Sequence, residues 1–532
     1  MKTKLKKLCI VLAFVLSISS ITYAAETENV ASQNDINVPI KYICESKGGT
    51  LSWDAKTKMA IVKYQNKTLQ LKIGSDVVTS NGKTKTLNSK VTIDSGRTIL
   101  PISVLNQELD LNVTNDDCLK IIGVKFIELL KNSQIAEGSG MISKTFSKYL
   151  SSNYISLLSK DFSSLQFDYT EVSLTKNTVH QNLSIPVVIG QVKYNYIIRF
   201  DYDGKIDDLN PSVEQPQLPH TKPAYDNSNN YTEQQVTFGE GAWKLPATLT
   251  VPKGKGPFPV VILVHGSGAG DRDESLGPLK PFKDLAVGLA SKNIAVFRYE
   301  KRTLEHGTKT QMVGNFTMEE EFEQDAFTAA EYLKTVSEID SSNIIVLGHS
   351  QGGYVLPQIL KDDDSGIFKA GIIMSGCTRP IYELIQEQYE YFMNKGMLSK
   401  EQFEYVKGQV KMLNDPSFDA TNPPKTYALG MPYYFNSMKT YDVLGDAKAL
   451  DKPMLVLQGE RDYQVSAKID FGAWKKAFSE NQKAEFKLYP KLNHMYTEGE
   501  GDSLPNEYYV SANIPQYVID DIAAFVNKAA GK

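Results

Sequence analysis

Histidine and cysteine are scarce in this chain, with six and four among 532 residues. Cys9 lies at the start of an apolar run near the N-terminus, which leaves Cys44, Cys118 and Cys377. An odd number of thiols argues against a fold built on disulfides. Cys44 and Cys118 fall in one N-terminal region, where a pair and two free thiols are both open. No zinc-type Cys/His spacing, calcium loop or phosphate-binding glycine loop occurs, so no metal or cofactor is expected. An excess of one charge is lacking too. Lysine and arginine total 58 against 62 acidic residues, a formal net charge of -4. That balance leaves no basic footprint for nucleic acid or for an anionic membrane. Beyond the N-terminus, no apolar run approaches the ~20 residues that span a bilayer. No integral membrane segment is expected in the processed protein.

The N-terminus itself reads as a targeting segment over residues 1–25. Lys2, Lys4, Lys6 and Lys7 precede an apolar core at 8–18, and Thr22-Tyr23-Ala24-Ala25 offers a small-residue cleavage site. The protein is therefore expected to be secreted or associated with the cell wall. At ~100–200 residues per domain, the length implies several domains.

Residues 37–116 repeat internally. Val38-Pro39-Ile40 realigns with Leu100-Pro101-Ile102, Leu51 with Val113, and Asp54 with Asp116. Each copy reads as a proline-started helix followed by a strand. Between them lie alternating strands at 59–64 and 68–73, with Asn81-Gly82 as a hairpin turn. The stretches VPIKYICESKGGTLSWD and GRTILPISVLNQELDLNV resemble the copper amine oxidase N-terminal-like domain of secreted bacterial proteins. That resemblance delimits a domain at 35–118 and implies wall association; the segment has no histidine to bind copper.

Residues 120–210 read as a second small α+β module, helical at 124–130 and 144–150 and strand-like at 191–200. It resembles the accessory modules that precede secreted hydrolase domains. His180 is its one histidine and is expected at the surface. Residues 211–231, rich in proline and asparagine and without periodicity, read as a linker.

From residue 232 onward, apolar strands at 259–264, 293–299, 344–347, 370–374 and 453–457 alternate with helical sequence such as 318–337. Such alternation implies an α/β fold with a mostly parallel sheet covered on both faces. Gly348-His349-Ser350-Gln351-Gly352 sits between a buried strand and a helix, the arrangement of a nucleophile elbow. A serine needs a base, an orienting acid and an oxyanion site, and in this fold the acid and then the histidine follow the serine. His494 is the single histidine after Ser350, in a loop past the strand at 484–488. Glu460 and Asp462 both follow the strand that Gly459 ends. Asp462 is favoured, because the turn then presents it toward His494. The pattern strand-G-x-x-D-x-x-V resembles the acid loop of α/β-hydrolases. After the first buried strand, His265-Gly266-Ser267-Gly268-Ala269-Gly270 offers close backbone approach. The N–H groups of Ser267 and Gln351 are the expected oxyanion donors. His265 and His349 read as packing residues.

The runs HGSGAGDRDES, RYEKRTLEHG and LNHMYTEGEG resemble secreted α/β-hydrolases of the dienelactone-hydrolase-like esterase group. Dienelactone hydrolases proper carry a cysteine nucleophile where this chain has Ser350, which favours ordinary ester hydrolysis. The resemblance implies a lid at 379–445, where helical, tyrosine-rich sequence interrupts the alternation. Tyr389, Tyr433, Tyr434 and Phe435 are its candidate substrate contacts, although the insert's own core is an equal reading for each. The expectation is an exported serine esterase acting on a small-molecule ester. A serine peptidase, an acyltransferase or thioesterase, and a wall-binding protein with a degenerate hydrolase domain are the alternatives. Every candidate catalytic residue lies past the linker, so a chain starting near Tyr231 is expected to keep activity.

Overall fold

The computed structural model describes residues 35–190, 192–213 and 218–532, so the targeting segment and Cys9 lie outside the described residues. The chain forms two units, and their division does not follow chain order. One comprises residues 25–214 together with His306–Met312; the other takes in residues 215–305 and 313–532.

In the first unit Pro39 and Pro101 each precede a helix, Ile40–Ser46 and Ile102–Leu109, as the repeat predicts. Asn81 and Gly82 both have positive φ at the tip of a hairpin, as a type I′ turn requires. The second copy of the repeat departs from the first. No strand follows Ile102–Leu109, because the Asn106 side chain occupies the backbone groups a strand partner would take. It donates to the Val113 carbonyl at 2.7 Å and accepts from the Val113 N–H at 3.0 Å.

Thr114 then opens the Asn115–Lys131 helix with a capping box. This helix spans the expected boundary between residues 118 and 120. Its buried face, including Cys118, Ile122 and Phe126, joins Val38 and Leu69 from before it and Phe162 and Ile198 from after it in one core. The two expected accessory modules are thus a single α+β unit. Its cysteines, Cys44 and Cys118, are buried free thiols.

His180, expected at the surface, is 1% exposed and lies 3.1 Å from Asp207. The Lys309 ammonium, fully buried, reaches the same carboxylate at 2.7 Å. Asp208 accepts from the backbone N–H groups of Thr308 and Lys309, both at 3.0 Å. A buried charge needs such partners, so His306–Met312 completes the polar centre of this unit.

The expected linker is shorter than 211–231. Residues 211–213 end the Ile206–Val213 strand. Past the four residues not described, the chain is anchored in the second unit. His220 Nδ1 donates to the Pro278 carbonyl at 3.0 Å, and the Tyr225 hydroxyl donates to the Ile514 carbonyl at 2.7 Å.

The second unit is built on eight strands. Their spatial order is Tyr231–Phe238, Leu245–Pro252, Ala295–Tyr299, Phe258–Val264, Ile339–His349, Phe368–Met374, Met454–Gly459 and Ala484–Tyr489. The first two strands pair antiparallel, as do the second and third, and the rest are parallel. Alternate side chains of one strand serve two cores. Val260, Ile262 and Val264 pack on one face with Ala326 and Leu333, while Val261 and Leu263 pack on the other with Phe282 and Ile519. That division explains why the strands read as unbroken apolar runs. Part of the expected helix at 318–337 forms, with a π turn at Glu319–Glu323 leading into Gln324–Leu333. The 379–445 segment is helical as expected, with Ile381–Asn394 and Lys400–Leu413 as its long elements.

Candidate active site

Ser350 follows the Ile339–His349 strand and starts the Gln351–Lys361 helix. Its backbone, at φ 53° and ψ -114°, lies in a region that L-residues rarely adopt. The surrounding backbone is too close for side chains at the flanking glycines. A Cβ on Gly348 would stand 2.3 Å from the Gly352 carbonyl oxygen, and one on Gly352 2.5 Å from that of Val264. The Ser350 N–H donates to the Met374 carbonyl at 2.9 Å, which ties the turn to the neighbouring strand.

Met454–Gly459 delivers Asp462, and Ala484–Tyr489 delivers His494. Asp462 Oδ2 lies 2.7 Å from His494 Nδ1. Asp462 Oδ1 accepts from the N–H groups of Gln464 and Val465 at 2.8 and 2.9 Å, and Oδ2 also accepts from Gln458 Nε2 at 3.0 Å. The carboxylate is therefore fixed in rotation, with one oxygen committed to the imidazole. Glu460 is exposed and has no part in this pairing.

The loop after Phe258–Val264 passes beside the serine. A Cβ on Gly266 would lie 3.1 Å from Ser350 Cβ and 3.6 Å from its Oγ. Ser267 is the next residue, exposed toward solvent. Gln351 is the first residue of its helix, so its N–H has no acceptor in the preceding turn. The backbone thus brings Gly266, the residue before Ser267, and Gln351 alongside Ser350.

Sequence reasoning missed three buried charged groups around this loop. Glu274 Oε1 accepts from the Gly266 N–H at 2.5 Å, and its Oε2 stands 2.9 Å from His349 Nδ1. His349 Nε2 donates to the His494 carbonyl at 3.0 Å. Burial disfavours a charged His349 ring, but the Glu274 carboxylate outweighs it and raises the pKa. Burial likewise works against the Glu274 charge, and His349 more than offsets it, so its carboxyl is held below the usual range. His265, read as packing, is 1% exposed, and burial pushes its pKa down to about 4. The third group, Lys301, is also 1% exposed. Charged runs such as RYEKR ordinarily mark a solvated turn, which conceals this one.

The insert candidates have different fates. Tyr434 is buried, and its hydroxyl accepts from the Gln351 side-chain amide at 2.7 Å. Tyr389 and Phe435 are buried in the apolar core. Tyr433 is 38% exposed. Tyr391, not singled out in the sequence, stacks on Tyr463 beside the acid, with ring centroids 5.3 Å apart.

Residues 18–122 match the copper amine oxidase N-terminal domain family, and residues 287–531 match the prolyl oligopeptidase family. The esterase EstD of Thermotoga maritima is 31% identical over 416 residues, which is 76% of this chain and 94% of that protein. Among solved structures, Est1E from Butyrivibrio proteoclasticus is 20% identical, with 56% of this chain and 99% of that one covered at a TM-score of 0.37. A Pyrococcus furiosus esterase is 15% identical, with coverage of 59% and 97% and a TM-score of 0.38. An eight-stranded hydrolase sheet, a serine in a strained strand-to-helix turn and a relative aligned over nearly its whole length agree: the chain belongs to the family of α/β-hydrolase serine esterases that includes EstD.

Proposed function

We propose that this esterase is exported and cleaves small carboxylic esters through an acyl-enzyme on Ser350. The observation that carries the reading is the 2.7 Å contact between Asp462 Oδ2 and His494 Nδ1, beside a serine held in a strained turn. Ser350 Oγ attacks the ester carbonyl and its proton passes to His494 Nε2. The oxyanion is met by the N–H groups of Ser267 and Gln351. The C–O bond to the alcohol breaks, and the alkoxide takes the proton from His494. Water, deprotonated by His494, then attacks the acyl carbonyl; Ser350 Oγ leaves, is reprotonated, and the carboxylic acid departs. Asp462 keeps the Nδ1–H tautomer, so that Nε2 can accept a proton.

Export is supported by the lysine-flanked apolar segment at the N-terminus. Association with the cell wall is the part of this reading that rests on the resemblance of the N-terminal region to domains of secreted bacterial proteins. The helical insert at 379–445 would act as a lid, since Tyr391 stacks beside the acid loop and Tyr434 bonds to the elbow. A fluorophosphonate probe tests the chemistry, with the labelled residue located by mass spectrometry. Labelling at Ser350 that a panel of short and aryl esters competes away is expected, and labelling elsewhere would overturn the reading. Cell fractionation tests the location, with the activity expected in the medium or wall fraction.

A further inference from the structure

Lys301 directly follows the Ala295–Tyr299 strand and Glu300, and it is buried beneath the loop that carries Ser267. Its ammonium donates to the Gly266 carbonyl at 2.7 Å and to the Gly268 carbonyl at 2.9 Å, one on each side of Ser267. Its other contacts are the Glu321 carboxylate at 2.7 Å and the face of the Phe322 ring, 4.2 Å from the centroid. Burial lowers the Lys301 pKa, and Glu321 opposes that shift.

Glu321 is itself 5% exposed; burial, and then the Glu321 carboxylate, raise the pKa of the Tyr434 hydroxyl. That hydroxyl accepts from Gln351 Nε2 at 2.7 Å, which leaves its own proton to donate. Lys301 holds the carbonyls flanking Ser267 and pairs with Glu321, while Tyr434, which feels that carboxylate, holds the side chain of Gln351. One end of this cluster lies at one expected oxyanion donor and the other end at the second. A buried ammonium and carboxylate are a poor means of gaining stability, since apolar residues of similar volume often do as well. They are well suited to fixing the position of backbone groups that have to meet a developing charge.

We propose that Lys301, Glu321 and Tyr434 are positioning residues that set the separation of the Ser267 and Gln351 N–H groups. Through Tyr434, the seating of the helical insert then governs the oxyanion site. This inference rests on Ser350 being the nucleophile. Loss of alignment in such a site lowers kcat without a matching change in substrate binding.

The test uses the full chain and the variant Tyr434→Phe. It removes one hydroxyl and keeps the ring, which stacks on Phe316 with centroids 6.3 Å apart. The expected result is a fall in kcat of about 10–100-fold with KM within about 2-fold. A trifluoromethyl ketone, whose hemiketal oxygen occupies the oxyanion site, should lose affinity by a similar factor. The double variant Lys301→Met/Glu321→Gln, which leaves no unpaired charge, should show the same kcat loss and the same weakened inhibitor. Unchanged kcat and inhibitor affinity per folded molecule in Tyr434→Phe, whatever its melting temperature, would overturn the proposal. Fluorophosphonate labelling of the wild-type chain is run beside it. Absence of label on Ser350 would overturn the nucleophile reading and this inference with it, whereas labelling with unperturbed variants overturns the inference alone.

Discussion

Replacing Asp462 by asparagine isolates the function of one oxygen. Asp462 Oδ1 accepts from two backbone N–H groups, those of Gln464 and Val465, which cannot turn away. An asparagine with its NH₂ toward them would leave buried donors facing donors, at about 1–3 kcal/mol each. The amide oxygen therefore takes the Oδ1 place, and the NH₂ faces His494 Nδ1 at the 2.7 Å position. Nδ1 must then accept, which puts the ring proton on Nε2, the atom that has to accept from Ser350. The fold survives with the wrong tautomer. Such a change lowers kcat by about 10⁴, or roughly 5.4 kcal/mol at 1.36 kcal/mol per decade. Initial rates on a p-nitrophenyl ester, with thermal melting as a check on folding, measure it. Glu460→Gln, at an exposed carboxylate two residues away, serves as the comparison and should stay within about 2-fold. A folded Asp462→Asn protein retaining more than a tenth of wild-type kcat would refute the argument, as would a larger loss in Glu460→Gln.

Ser350→Ala should abolish turnover and fluorophosphonate labelling with little change in melting temperature; measurable turnover in a clean preparation would contradict the nucleophile assignment. His494→Ala should lose nearly as much as Ser350→Ala, and the double variant no more than either, because the residues act as a unit. The His349–Glu274 pair predicts a pH dependence of stability. Burial opposes the charge on His349 but Glu274 outweighs it, so the folded pKa lies above 6.5. The pair's contribution is complete below the ordinary histidine pKa and is lost as pH rises through the folded value. Melting temperature should therefore fall as pH rises above 6.5 more steeply in the wild type than in Glu274→Gln, and parallel curves would count against it. A chain beginning at residue 218 should melt well below the full-length protein and aggregate, since the Lys309 ammonium loses Asp207 and the N–H groups of Thr308 and Lys309 lose Asp208. Equal melting temperatures would show that His306–Met312 needs no such partners.

Much of this arrangement was legible in the sequence, for identifiable reasons. The strands of the hydrolase sheet are covered on both faces, so each appears as an apolar run. The elbow must have glycine at 348 and 352, because the backbone carbonyls leave no room for a Cβ. His494 could be found because no other histidine follows the serine. The failures share a different cause. His180, Glu274 and Lys301 carry polar groups that sequence patterns assign to solvent, yet each is satisfied by a partner far along the chain. Lys301 meets Gly266 across 35 residues, and His349 bonds the His494 carbonyl across 145. The missing strand after Ile102–Leu109 has a local origin that repeat matching overlooks, a side-chain amide that imitates a backbone partner. The supposed linker failed because low periodicity does not distinguish a free segment from one pinned by His220 and Tyr225.

The segment His306–Met312 also imposes an order on synthesis. Asp207 emerges from the ribosome 102 residues before Lys309, the cation that neutralises it. At about 5–20 residues per second, the gap lasts roughly 5–20 s. During that time Asp207 lacks the ammonium that neutralises it in the polar centre of the first unit. The unit cannot reach its final stability as an early, independent folding event, although its sequence is complete. Four strands of the hydrolase sheet, from Tyr231 to Tyr299, are translated before the first unit can close. Assembly of the two units is thus interleaved in time, and the nascent chain remains exposed to chaperones and proteases until residue 312 has been made.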